Sequence, residues 1–525
     1  MAQGGIRKGF FFYFGLFVLL LIAIFLIILV VLLFNPGKTI LWMQYFTGDG
    51  THQITKTTDT ETDIDFNNLT RIEIDCSMAD VTIQRHENIK KDCIQIVNNA
   101  KGFATSAQAR DFSYSVTQQG SVLTISVVEP VGFLYMSSEV SITVNIAWIE
   151  QNQVVTTSGD YSNIDFEIST TSGDVIIGST SPGSHTVAPK SITAETTSGN
   201  IYVNSNSQIA NTNNISFTTD NGLISANSNN VSINSTDKNA KGLVINSGNI
   251  KLRTNKGEIN YDLVQTGNGT LTIENDRGSI VIGTISAQNT SINCYEGNYK
   301  IGTIKGNISF TASEDKIASP NVRISEIIGD FSMSSKNDAS PDVIIDKLTG
   351  YANVNGISGY VEIKELSGFA NIDMNDGSMV INFADQSNGA TDTLTSQYAD
   401  ITVGMKGELN HNINITTTEG KVTFNVTNKA TFISTAYQKD NESEKLGDDK
   451  IAVNIGYEGT KNPLNIQSST SNAKSTIVIK TNGNVEYNLK DAIWHFNWQK
   501  RTFFKVLFYF IFGLIFILFF GVCLI

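Results

Sequence analysis

The stretch Thr171-Ser172-Gly173-Asp174-Val175-Ile176-Ile177 decides the fold, because the chain keeps returning to it. The phrase is a small polar pair, a glycine, a polar residue and then alternating apolar residues. It reads Thr157-Ser158-Gly159-Asp160 just before and Thr197-Ser198-Gly199-Asn200-Ile201-Tyr202-Val203 just after. Looser copies stand at Asp220-Asn221-Gly222-Leu223-Ile224, Asn246-Ser247-Gly248-Asn249-Ile250, Asp276-Arg277-Gly278-Ser279-Ile280 and Asp376-Gly377-Ser378-Met379-Val380. Self-similarity at a step of about 20–26 residues marks a stacked repeat rather than an ordinary globular core.

Within each step lie short alternating runs such as Val231/Ile233, Leu271/Ile273, Ile280/Ile282 and Val361/Ile363. Alternation is the pattern of a strand with one buried face. Gly159, Gly173, Gly199, Gly222, Gly248 and Gly278 are read as the structural turn residues, supplying the positive φ of a tight corner. Asp160, Asp174 and Asn200 beside them can bond their own backbone. Together with Asn221 they would stack on adjacent coils as an oxygen-rich ladder, read as structural and without metal. The tighter glycine period of calcium-binding solenoids is absent.

The expected fold is therefore all-β: a β-solenoid (β-helix-like) domain with an N-terminal antiparallel strand cap, flanked by two transmembrane helices. Residues 1–9 form a short tail, 10–34 a transmembrane signal-anchor, 35–59 a linker and 60–150 the strand cap. Residues 151–490 carry the solenoid repeats, 491–505 an interfacial aromatic and basic segment, and 506–525 the C-terminal transmembrane helix. The run Phe10 to Phe34 holds no charge and as a helix would reach ~37 Å, enough for a tilted span of the ~30 Å hydrocarbon layer. It is long for a cleaved signal peptide. Trp494, Phe496, Trp498, Lys500 and Arg501 precede the second run as interfacial anchors would. The alternative for that tail is a signal exchanged for a glycolipid anchor, with Asn482-Gly483-Asn484 as the attachment site.

Arg7 and Lys8 before the first run place the long middle outside the cytosol; Lys500, Arg501 and Lys505 argue the other way, and the first span takes precedence. The location expected is a plasma or secretory-pathway membrane with the solenoid exoplasmic. Cys76 and Cys93 are a disulfide candidate pair, or alternatively two buried thiols. Sequons for N-glycosylation begin at Asn68, Asn214, Asn230, Asn234, Asn268, Asn289, Asn307, Asn414, Asn425 and Asn441. A chain this rich in Asn, Ser and Thr produces many such triplets by composition alone.

The layout Ser141-Ile142-Thr143-Val144-Asn145-Ile146, then Val154-Val155-Thr156-Thr157-Ser158-Gly159-Asp160, then Ser172-Gly173-Asp174-Val175 resembles the bacterial putative-adhesin domain family. That family has a strand lead-in followed by recurring Thr-x-Ser-Gly-Asp coils. The resemblance covers residues 60–430 and is clearest from 140 to 205; Ala147-Trp148 stands where members often carry proline. It implies a solenoid fold and a surface-binding role, and it carries over no catalytic residue.

The net charge of −13 makes nucleic acid and anionic lipid poor partners. The acid pairs Asp373/Asp376 and Asp448/Asp449 read as turn and loop chemistry, and the five histidines lack metal-ligand spacing. No catalytic residue, cofactor or metal is assigned, and the chain is not read as an enzyme. The function expected is surface binding or adhesion by a membrane-anchored solenoid, with a surface glycan or protein as ligand. The alternative is a structural scaffold lying along a membrane or within a membrane complex. The third reading is a polysaccharide-active β-helix enzyme.

Overall fold

The computed structural model describes residues 13–27, most of 51–204, 213–227, most of 242–312, 319–384, 391–405, 412–426 and short strands between 432 and 489. Two faces of parallel strands build it. On the first face Arg71–Asp75, Asp165–Thr170, Ser191–Thr196, Asn214–Thr219, Asn249–Thr254 and Thr270–Asn275 stack in parallel, one rung on the next. On the second face Asp80–His86, Val175–Ile177, Ile201–Asn204, Leu223–Asn227 and Glu258–Gln265 do the same. Each first-face strand turns one corner into a second-face strand, so the chain winds as a solenoid. From Ser279 the strands lengthen. Ser279–Cys294 and Asn298–Ala312 run from the second face onto the first, while Tyr351–Leu366 and Phe369–Phe383 run from the first face onto the second.

Alternation builds these strands. In Asp165–Thr170 the side chains of Phe166 and Ile168 point inward and are 0% and 2% exposed, and Ile192, Ala194, Ile215 and Phe217 continue the same columns. Burying each isoleucine in such a column contributes roughly 2 kcal/mol. Stacking apolar side chains rung over rung lets a thin layer exclude water along its whole length. Tyr299, Phe310 and Phe331 form an aromatic row in this core, with ring centroids 5.8 and 6.0 Å apart.

The corners explain the recurring glycine, though not through φ. Gly173, Gly199, Gly222 and Gly278 all lack positive φ. A Cβ added at Gly199 would run into the carbonyl of Gly173 one rung away, and one at Gly222 into that of Gly199. The glycine is needed because neighbouring backbones approach too closely for any side chain. Gly257, not Gly248, is the next member of this column, since its Cβ would meet Gly222 O and that of Gly278 would meet Gly257 O. Gly248 belongs to the opposite corner: it has φ +111°, leads into Asn249–Thr254 and sits against Asn213 O. The phrase around Gly248 therefore copies the motif in sequence but not its place in the coil. Gly159 and Asp160 lie outside the described residues.

Parallel stacking begins at Arg71, within the segment expected to be only a cap. The rest of that segment is largely antiparallel: Ser113–Gln119 lies on Val122–Val128, Thr58–Asp63 and Val140–Ala147 on either side of Cys93–Asn98, and Thr51–Ile54 and Phe133–Ser137 on either side of Lys101–Thr105.

Cys76 and Cys93 are not joined; each is a buried thiol. Cys93 is in register with Asn145, and Asn145 with Gln84, whereas Cys76 lies in the corner before Asp80. Two strand spacings, ~9.5 Å, exceed the ~7 Å Cα separation a disulfide spans. Residues 13–27 are helical and exposed along nearly their whole length. Among the described residues no helix is long and apolar enough to cross a membrane. The C-terminal run 506–525 lies outside the described residues.

Candidate functional site

Two internal ladders tie the corner of one rung to the next. The first is a buried hydroxyl three residues before each corner glycine. Thr170, Thr196, Thr219 and Thr254 accept the N–H of Gly173, Gly199, Gly222 and Gly257 at 3.1, 3.0, 2.9 and 2.8 Å. Asn275 replaces threonine at the next corner, accepting Gly278 N–H at 2.8 Å while its amide donates to Tyr299 Oη at 2.8 Å. The second ladder is carboxylate and amide. Asp80 Oδ1 accepts Asp174 N–H at 2.8 Å, Asp174 Oδ1 accepts Asn200 N–H at 2.8 Å, and Asn200 Oδ1 accepts Leu223 N–H at 2.9 Å. Burial raises the Asp80 pKa against the hydrogen bond from Asp174.

The expected ladder thus exists from Asp174 through Asn200, but Asp80 begins it. Asn221 stands aside, its amide donating to Thr197 O at 3.5 Å. Asp80, Asp174 and Asn200 each hold a backbone N–H of the next rung on Oδ1, which is structural work. Among the described residues no group of three or more His, Cys, Asp and Glu could hold a metal ion. Of the acid pair Asp373/Asp376, Asp376 caps the N–H of Gly377 at 2.6 Å while Asp373 points outward on the first face. Asp448/Asp449 and Asn230, Asn234 and Asn441 lie outside the described residues. Asn68, Asn214, Asn268, Asn289, Asn307 and Asn414 are exposed, and Asn425 lies in the strand Val422–Val426.

The outward side chains of the two faces differ in kind over the same rungs. The second face is charged and cross-linked: Arg323 meets Asp342 at 2.7 Å, Lys347 meets Glu326 at 3.3 Å and Lys364 meets Asp346 at 2.6 Å. Glu362, on this face, is 2% exposed and accepts the Tyr360 hydroxyl at 3.0 Å. Burial pushes its carboxyl above the usual glutamate range, against the pull of Tyr360, Lys364 and Arg323.

The first face is nearly uncharged from Ser291 onward. Its outward pairs run Ser291/Asn293, Ser309/Thr311, Ser332/Ser334, Asn353/Asn355, Asn371/Asp373 and Thr393/Thr395, rung upon rung. All are exposed or half-exposed, and Asp373 is the one charge among them. In the middle of this run Tyr351 and Phe369 lie side by side on neighbouring rungs, ring centroids 6.4 Å apart, with Phe369 39% exposed.

Reading for glycine phrases with a polar pair missed this cluster. Its signal is a different repeat, Leu348-Thr349-Gly350-Tyr351-Ala352-Asn353-Val354-Asn355 and Leu366-Ser367-Gly368-Phe369-Ala370-Asn371-Ile372-Asp373. Here the glycines belong to the second corner, where Gly350 and Gly368 each meet the carbonyl of the glycine one rung before. A shallow groove at the first corner is lined by Asn200, Asn221, Lys256, Gly257 and Arg277; Arg277 there pairs with Glu296 at 3.6 Å and covers the Tyr295 ring.

No family model and no curated protein matches this chain. Among solved structures, the chain is similar to a "putative adhesin" from Bacteroides fragilis at 13% identity, covering 57% of this chain and 97% of that one, with a TM-score of 0.21. It is also similar to a "putative adhesin" from Parabacteroides merdae at 9% identity, covering 82% of this chain and 96% of that one, with a TM-score of 0.18. A "putative cell adhesion protein" from Clostridium sporogenes aligns at 10% identity over 57% of this chain and 99% of that one, with a TM-score of 0.17.

Proposed function

We propose that this chain is an adhesin-like β-solenoid that works by binding at a cell surface, not by catalysis. The observation that carries this is the division of its outer surface. From Ser291 onward one face neutralises its charges in ion pairs, while the other presents exposed or half-exposed Ser, Thr and Asn at rung spacing, with two aromatics among them. Such an array offers many weak, repeated contacts to an extended ligand and no clustered acid–base or nucleophilic machinery. Attachment to the membrane through the apolar run 10–34 belongs to this proposal. The described part, residues 13–27, is an exposed apolar helix, a form suited to lipid or to a partner helix.

Protease protection on sealed membranes tests the placement, with tags at the N-terminus and within Gln438–Lys450. Loss of the inner tag from intact cells, with the N-terminal tag surviving, is expected for an outward-facing solenoid. Protection of the inner tag until the cytosol is opened would overturn it, leaving a cytosol-facing scaffold. Beads coated with the full-length chain test the binding; adherence to cells no greater than that of albumin-coated beads would overturn adhesion.

A further inference from the structure

Resting on that reading, we propose that the first face carries a binding site for a neutral polysaccharide, centred on Tyr351 and Phe369.

Register brings the two aromatics together. Tyr351, Asn353 and Asn355 point outward from one rung, and Phe369, Asn371 and Asp373 from the next, each opposite its counterpart. The rung before presents Ser332 and Ser334, and the rung after presents Thr393 and Thr395. Four rungs at the strand spacing make a patch ~14 Å long, and five residues along a strand make it ~13 Å wide. That is room for a short run of sugar rings laid on an open surface rather than swallowed in a pocket.

The chemistry is that of a sugar. One side of a pyranose ring is a sheet of C–H bonds, and it packs on the electron-rich face of an aromatic ring. Its rim carries hydroxyls that both donate and accept, which amides and hydroxyls answer in kind. Phe369 and Tyr351 supply adjoining apolar platforms, tilted 58° to one another. Asn353 and Asn371 flank them and are linked, the Asn371 amide donating to Asn353 Oδ1 at 3.3 Å, so both are held in place before a ligand arrives. Pre-ordering of this kind lowers the entropy cost of binding.

Neutrality is the specific part of the proposal. Among its described side chains the patch has no lysine or arginine, so these offer nothing to hold a uronate, sulfate or phosphate; the charges among them are the carboxylates Asp330 and Asp373, on opposite sides. An acidic polysaccharide would meet these and the net charge of −13.

The experiment is affinity electrophoresis of the purified full-length chain through native gels containing mannan, dextran, xyloglucan or, as the acidic comparison, alginate. At least one neutral polymer is expected to retard the wild type, with alginate giving none. Phe369→Ala and Tyr351→Ala each weaken that retardation at least tenfold, and Asn371→Ala severalfold. Lys364→Ala on the opposite face leaves it unchanged. All four side chains point outward, and matching circular dichroism and melting curves confirm that each variant folds. Retardation by no neutral polymer, retardation by alginate alone, or equal retardation of Phe369→Ala and wild type would overturn the site. The coated-bead assay separates this from the broader reading. If Phe369→Ala beads adhere as wild type does, the site fails and adhesion stands by another surface. If wild-type beads do not adhere, adhesion itself fails whatever the gels show.

Discussion

Thr219 accepts the backbone N–H of Gly222 at 2.9 Å, and its hydroxyl donates onward to the Gly199 carbonyl one rung away at 3.1 Å. One fully buried hydroxyl therefore closes its own corner and ties it to the neighbouring corner. The same position is Thr170, Thr196, Thr254 and Thr417 in other coils, each bonded to the glycine three residues on. A tight corner leaves backbone groups that cannot reach the sheet ladder, and the threonine supplies the missing partner.

Thr219→Val keeps the shape and removes both bonds. It should destabilise the chain by about 2 kcal/mol, because Gly222 N–H and Gly199 O stay buried without their partner. Thr218→Val, one residue earlier on the outward side, should change stability by less than ~0.5 kcal/mol. Urea midpoints of the two variants check the contrast, and equal midpoints would remove the hydroxyl from the account of the corner.

Gly199→Ala is expected to lower stability by about 3 kcal/mol, since the new methyl meets the Gly173 carbonyl and only backbone movement can relieve it. Gly120→Ala tests a different cost. Gly120 has φ +62° with nothing within 4 Å of an added Cβ, so the penalty is only that of a left-handed residue, about 1 kcal/mol. If the order of the two were reversed, positive φ rather than rung contact would be what the phrase selects for.

Tyr261 lies wholly in the core, and its hydroxyl finds no hydrogen-bond partner. Burial alone pushes its pKa far up, so it stays neutral. Tyr261→Phe should raise stability by about 1 kcal/mol, because the folded state no longer holds a stranded hydroxyl while the ring packing remains. Tyr299→Phe should do the opposite, since that hydroxyl accepts the Asn275 amide. Paired melting curves decide the matter.

Glu362 gives the second face a pH dependence. Its carboxyl pKa is raised mainly by burial, so the folded chain keeps a proton that the unfolded chain has released. The stability this contributes is complete below the ordinary glutamate value, 4.5, and is lost as pH rises through the raised value. Glu362→Gln can still accept the Tyr360 hydroxyl and cannot ionise. Its stability relative to wild type should therefore increase between about pH 4 and pH 7. Parallel pH profiles for the two proteins would show that the carboxyl is not shielded.

The alternation of isoleucine and valine and the recurrence of Ser-Gly-Asp determined the solenoid. Both are local consequences of a strand with one wet face and a corner with no room, and Asp174 and Asn200 were legible in the same way. What sequence could not decide was register. Gly248 and Gly257 lie nine residues apart, and only stacking shows that Gly257 continues the column below while Gly248 serves the other corner. Cys76 and Cys93 looked like partners because they are near in sequence, yet an intervening strand and an eight-residue offset separate them. The aromatic pair of the first face was hidden for the same reason. Tyr351 and Phe369 stand eighteen residues apart in the chain and touch only because each coil ends where the next begins. Periodicity reports which side of a strand faces water; which outward residues become neighbours depends on the length of every loop between them, and that is settled only when the rungs stack.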